Sequence, residues 1–116
     1  MADRVVTWYF EGQVKAGTSQ GLSFRADADY APERVTIHAG RAPTGVIKID
    51  INADGESIFG DIQPELLSDT IEDDFVFEGS VASIGEGSIV TLDFDAVGSG
   101  EPGEDVTIQL DLNEEE

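Results

Sequence analysis

The most specific chemistry in the sequence's spacing is Asp50-Ile51-Asn52-Ala53-Asp54-Gly55-Glu56, with Asp61 beyond it. Oxygen-bearing side chains stand at loop positions one, three and five, glycine at six and an acid at twelve, the order in which an EF-hand loop presents ligands to calcium. Two features oppose that reading. The flanks Val46-Ile47-Lys48-Ile49 and Ser57-Ile58-Phe59 are β-type rather than helical, and the closing acid is Asp61 rather than the longer Glu. The simpler account is a hairpin with an Asp54-Gly55 turn and polar outward positions. A Ca2+ or Mg2+ site outside the EF-hand class, built from Asp50, Asn52, Asp54, Glu56 and Asp61, is the alternative, and otherwise no cofactor is expected.

Other chemistry is sparse. Cysteine is absent and His38 is the single histidine, so a nucleophile–base pair has almost nothing to draw on. Carboxylate pairs such as Asp73-Asp74 and Asp93/Asp95 are frequent. In a chain with 25 Asp and Glu among 116 residues, however, such proximity follows from composition alone. Glycoside hydrolysis would need one carboxyl with a raised pKa in a cleft, and no position is singled out. The chain is therefore not expected to be an enzyme. Trp8-Tyr9-Phe10 puts aromatic side chains on both faces of one strand-like run. Trp8 and Phe10 suit a core, while Tyr9 suits a neighbour or a sugar-stacking platform. Trp8, Tyr9, Tyr30 and His38 are the candidates for a subunit interface, because aromatic residues are enriched in interface centres.

The elements that carry these residues are strands. Val106, Ile108, Leu110 and Leu112 alternate with Asp105, Thr107, Gln109 and Asp111. Val90-Leu92-Phe94-Ala96 and Ile47-Ile49-Ile51 repeat the pattern, as do Val6-Trp8-Phe10, Leu22-Phe24-Ala26, Val35-Ile37-Ala39 and Phe75-Phe77-Val81. This period of two marks half-buried strands, and turn residues separate the runs at the spacing of an all-β sandwich. The expected fold is an antiparallel, jelly-roll-like β-sandwich of about eight strands. Pro64-Glu65-Leu66-Leu67 alone looks helical. One domain spans 1–112, and 113–116 reads as a frayed acidic tail.

Twenty-five acids against six bases give a formal charge of −19. For a sphere of radius ~17 Å the screened self-repulsion is about 14 kcal/mol at physiological salt and about 7 kcal/mol at molar salt. Such a chain suits brine and excludes nucleic acid and anionic membranes as partners. No run approaches the length of a membrane-spanning helix, and Met1-Ala2-Asp3-Arg4 enters a strand-like run with no apolar signal segment. Synthesis as a soluble cytoplasmic protein is the expectation.

Ala42-Pro43-Thr44-Gly45, Ile49-Asp50-Ile51-Asn52, Asp54-Gly55, Ser57-Ile58-Phe59, Val97-Gly98-Ser99 and Pro102-Gly103 occur in that order before a last alternating strand. The string resembles a recurring small β-sandwich domain of tailed-virus structural proteins, over roughly residues 8–112. Its motifs are turn and strand residues, with Pro43, Gly45, Gly55, Gly98 and Gly103 as turn-formers. The resemblance implies no catalysis and localisation in a virion. Being nearly all one domain, the chain suits a capsid decoration, cement or turret protein of a virus with a halophilic host. The implied partners are its own copies, expected as a homotrimer, and other virion proteins such as the major capsid protein. A tail or fibre-tip adhesion module that binds a host surface glycan is the alternative.

Overall fold

A computed structural model of the chain describes residues 4–59, 62–77, 83–97 and 100–115. Nine strands form among them, and among the described residues there is no helix: β1 Arg4–Gln13, β2 Phe24–Arg25, β3 Tyr30–Arg41, β4 Ile47–Ala53, β5 Glu56–Ser57, β6 Glu65–Leu66, β7 Glu72–Val76, β8 Ile89–Val97 and β9 Glu104–Glu114. All pairings between them are antiparallel. Strands β1-β9-β3-β7 make one sheet, and β2-β8-β4-β5 with β6 also on β4 make the other. Residues of β5 and β6 pair with opposite ends of β4, so they act as one interrupted strand. With those two merged, each sheet interleaves strands from early and late in the chain, and every connection crosses between layers except the β4–β5 hairpin. That is the jelly-roll arrangement expected from the sequence.

Alternation explains which side chains fill the space between the layers. Val6 and Trp8 of β1, Val35, Ile37 and Ala39 of β3, and Val106, Ile108, Leu110 and Leu112 of β9 are buried from one sheet. Ile47, Ile49, Ile51, Val90, Leu92 and Phe94 meet them from the other. Phe59, Phe75 and Phe77 form an aromatic group with ring centroids 5.2–5.3 Å apart.

Where the simple alternation fails, a bulge is responsible. Pairing slips between Pro32 and Arg34, so Glu33 is the extra residue. Proline lacks the N–H that a ladder needs and is tolerated at such a point. A second slip between Lys48 and Ile49 makes Asp95 the extra residue opposite, so Ala96 pairs with Lys48 rather than continuing the buried row. Turn chemistry follows the sequence closely at Asp54-Gly55. Both residues have positive φ, 51° and 87°, as a two-residue type I′ hairpin requires, and Ala53 pairs with Glu56 across them. At Gly103 the reason for glycine is space, since a Cβ would lie 2.6 Å from Ile47 Cδ1.

Three local expectations need correction. The stretch 64–67 is not helical: Glu65 and Leu66 extend along β4, and Leu66 is fully buried there. The segment 113–116 does not begin as a frayed tail. Strand β9 runs to Glu114, and Asn113 and Glu114 pair with Ala31 and Tyr30. Of the Leu22-Phe24-Ala26 run only Phe24 and Arg25 are strand, while Leu22 is exposed. Val81 and Gly98 lie outside the described residues.

Candidate functional site: the outer face of the β1-β9-β3-β7 sheet

Register brings two of the four interface candidates together. Tyr9 stands opposite Thr107, Thr107 opposite His38, and His38 opposite Glu72, so one transverse row crosses the whole sheet. Tyr9 and His38 are two strands apart, roughly 10 Å at ordinary strand spacing. Tyr9 is 59% exposed. His38 Nδ1 lies 3.5 Å from a Glu72 carboxylate oxygen.

The next rows complete the face. Thr7, Gln109, Thr36 and Asp74 stand side by side, followed by Val5, Asp111, Arg34 and Val76. Thr36 Oγ1 donates to Asp74 at 2.9 Å. Asp111 is only 5% exposed and accepts from Arg34 at 3.3 Å and from Gln109 Nε2 at 3.0 Å. The surface is therefore a lattice of three threonine hydroxyls and the Gln109 amide, with Arg34 set over the sunken Asp111 and the carboxylates Glu72 and Asp74 along the β7 edge. Exposed apolar side chains, Val5, Tyr9 and Val76, sit toward its two edges. Chemically it can offer hydrogen bonds in both directions and a single stacking ring.

Trp8 and Tyr30 are corrections. Trp8 is 1% exposed and points between the sheets, its Nε1–H donating to the Leu22 carbonyl at 2.8 Å. Its even place in the β1 alternation makes it a core residue. Tyr30 is buried at one end of the sandwich, where its hydroxyl donates to Asp27 and Arg4 pairs with the same carboxylate. Neither can meet a partner without the sandwich opening. The hydrogen bonds from Arg4 and then Tyr30 hold the Asp27 carboxyl down at about 2. The same hydrogen bond to Asp27, with burial next, pushes the Tyr30 hydroxyl upward.

The candidate metal residues are dispersed. Asp50 and Asn52 project from the outer face of β4, but their partners are protein groups. Ser57 Oγ donates to Asp50 at 2.6 Å, and Asn52 Nδ2 donates to Asp93 at 2.8 Å. Asp54 accepts from the Ile89 N–H at 2.9 Å, which holds its carboxyl below the ordinary range. Glu56 is exposed in the β5 pairing, and Asp61 lies outside the described residues. Among the described residues no three carboxylates or histidines converge as a metal-holding group. Burial pushes the Asp50 carboxyl upward, and the charges of Asp95 and Asp93 add to this. Asp93 sits directly across from Asp50, and Gln63 donates to Asp95 at 2.6 Å.

Alternation alone singles out Asp105, Thr107, Gln109 and Asp111 as sharing a face. What it did not supply was the register that sets Arg34 over Asp111 or Thr36 beside Asp74. Those partners are 77 and 38 residues apart.

No family model matches the chain, and no curated protein matches it. Among solved structures the chain is similar to a family 35 carbohydrate binding module from Clostridium thermocellum. The two are 14% identical over 93% of this chain and 92% of that one, with a TM-score of 0.47.

Proposed function

We propose that the protein is a non-catalytic assembly and recognition module whose working surface is the outer face of the β1-β9-β3-β7 sheet. The observation that carries this is the row Tyr9-Thr107-His38, with Thr7, Gln109, Thr36 and Arg34 beside it. It is a continuous patch of hydrogen-bonding groups and an exposed aromatic ring, bordered on the β7 edge by Glu72 and Asp74. Interface centres favour tyrosine and arginine and disfavour acids. In the reading supported by the sequence pattern, the chain is a virion structural protein of a tailed virus with a halophilic host, most simply a head decoration, cement or turret protein. The positive-φ turns at Gly45 and Asp54-Gly55 fit the turn roles which that resemblance implies. The face would then meet other virion proteins, while the carboxylate coat faces brine.

The second reading is an adhesion module for a host glycan at a tail or fibre tip. Tyr9 favours it, as an exposed ring flanked by Thr7 and Thr107 hydroxyls can stack on and hydrogen-bond a sugar. Quantitative mass spectrometry of purified particles separates the two: hundreds of copies per particle support decoration, a handful support the tip. Absence of the chain from particles refutes both. A glycan screen in molar salt adds the complementary arm, with binding lost in Tyr9→Ala expected only for the adhesion reading.

A further inference from the structure

A jelly roll has open strand edges, and among the described residues this one guards all but one of them. Strand β7 carries Glu72-Asp73-Asp74 in succession, and charge on an edge blocks strand addition. Strands β2, β5 and β6 have two residues each, too short to template another strand. The free side of β8 is bridged by loop 14–23, through Gly17 to Phe94 and through the Gln20 N–H to the Leu92 carbonyl. Strand β1 differs. It has ten residues, pairs along one side with β9, and among the described residues pairs with no strand along the other. From Arg4 to Phe10 it contains no acid and no proline, and its pairing there is regular. Loop 14–23 reaches β1 through the inward rings of Trp8 and Phe10 rather than through its backbone.

We propose that β1 pairs edge to edge with β1 of a second copy, antiparallel about a two-fold axis at Thr7, so that two four-stranded sheets become one of eight. The occupant is argued from self-complementarity. In that register Thr7 meets Thr7, and exposed Val5 meets exposed Tyr9 on the outer face twice over. Thr–Thr and aromatic–β-branched pairs are among the favourable cross-strand neighbours. On the inner face Val6 meets Trp8. For a chain of −19, this edge also lets two copies approach through a stretch free of carboxylates. A two-fold contact is isologous and closes on a dimer, not on the trimer expected from the sequence. The dimer would double the candidate face into one continuous surface, whichever partner that face serves.

The test uses the full chain in molar KCl, by light scattering after size exclusion and by cross-linking. Wild-type protein at tens of micromolar should run with twice the 12.4 kDa chain mass. Thr7→Lys, an exposed outward position, should dissociate at least ten-fold more readily because Lys then meets Lys. The chain has no native cysteine, so single thiols report the register directly. Thr7→Cys should form an interchain disulfide under mild oxidation, and Val76→Cys, equally exposed on the far edge, should not. A monomeric wild type at every concentration overturns the proposal. So does a dimer that Val76→Cys cross-links ahead of Thr7→Cys. Neither result bears on whether the chain is carried on a virus particle.

Discussion

The two outer faces of the sandwich are built by the same alternation and carry opposite chemistry. On the central strands β9 and β3 the outward residues include Asp105, Thr107, Gln109, Asp111, Arg34, Thr36 and His38. Of the two carboxylates there, Asp111 is sunk beneath Arg34 and Asp105 accepts from the Gly12 N–H at 2.8 Å. On the central strands β8 and β4 the outward residues are Thr91, Asp93, Asp95, Lys48, Asp50 and Asn52. Three carboxylates crowd that face, and Asp50 stands directly opposite Asp93. Like charges so placed destabilise a sheet, and here Ser57, Asn52, Gln63 and the Ser19 N–H each donate to one of the three acids. The acidic coat is therefore uneven. It is concentrated at the centre of one face, whereas on the face that bears Tyr9 the acids Glu72 and Asp74 lie on the edge strand β7 and the centre is mostly hydroxyl, amide and Arg34.

The largest expected effect tests the coat as a whole. Lowering salt from molar to about 0.1 M should lower the melting temperature of the isolated protein by roughly 10 °C or more, since about 7 kcal/mol of screening is withdrawn and only part of it is shared by the unfolded chain. An unchanged melting curve would contradict the salt-adapted account. Next in size is Arg34→Ala. It leaves the Asp111 carboxylate buried with Gln109 as its remaining side-chain partner, at a cost of about 2 kcal/mol in denaturant unfolding. On the other face the sign reverses. Asp50→Asn keeps an acceptor for Ser57 but removes the charge facing Asp93, and should stabilise by about 0.5 kcal/mol at neutral pH and low salt. Both variants destabilising alike would erase the distinction between the faces.

The pH dependence sharpens this further. The Asp50 carboxyl titrates above its ordinary value of 3.8 in the folded chain, so folding disfavours its charged form. The penalty is full above the raised value and gone below 3.8. The advantage of Asp50→Asn should therefore fade as the pH falls through that window. Asp27 behaves oppositely. It is held at about 2 against an ordinary 3.8, so its contribution is present above 3.8 and lost as the pH falls toward 2. Wild type and Asp27→Asn should differ in stability at neutral pH and converge on acidification. A gap that widens with acid would show that the pairing with Arg4 does not form in solution.

Much of this was legible in the sequence because alternation is a local signal. The buried rows of β3, β4 and β9, the type I′ turn at Asp54-Gly55 and the outward setting of Tyr9 and His38 follow from period and turn chemistry. Register is not local. Nothing in the spacing of Arg34 and Asp111, or of Tyr9 and His38, says that they share a row; pairing with β9 and the bulge at Glu33 set which residues meet. The misread stretch 64–67 failed for the same reason. Its local pattern suits a helix start, and pairing with β4 overrides it. Aromatic type also misled at Trp8 and Tyr30, where enrichment at interfaces competes with the plainer demand of a core for large side chains.

The central claim is that the face bearing Tyr9 meets the partner and the face bearing Asp50 and Asp93 meets solvent. Gln109→Glu and Thr91→Glu place one new carboxylate at the middle of each face, and the copy number of each variant in purified particles can be counted by mass spectrometry. With equal melting temperatures, the account predicts at least a ten-fold loss of incorporation for Gln109→Glu and wild-type incorporation for Thr91→Glu. Equal incorporation of the two, or loss confined to Thr91→Glu, would contradict it.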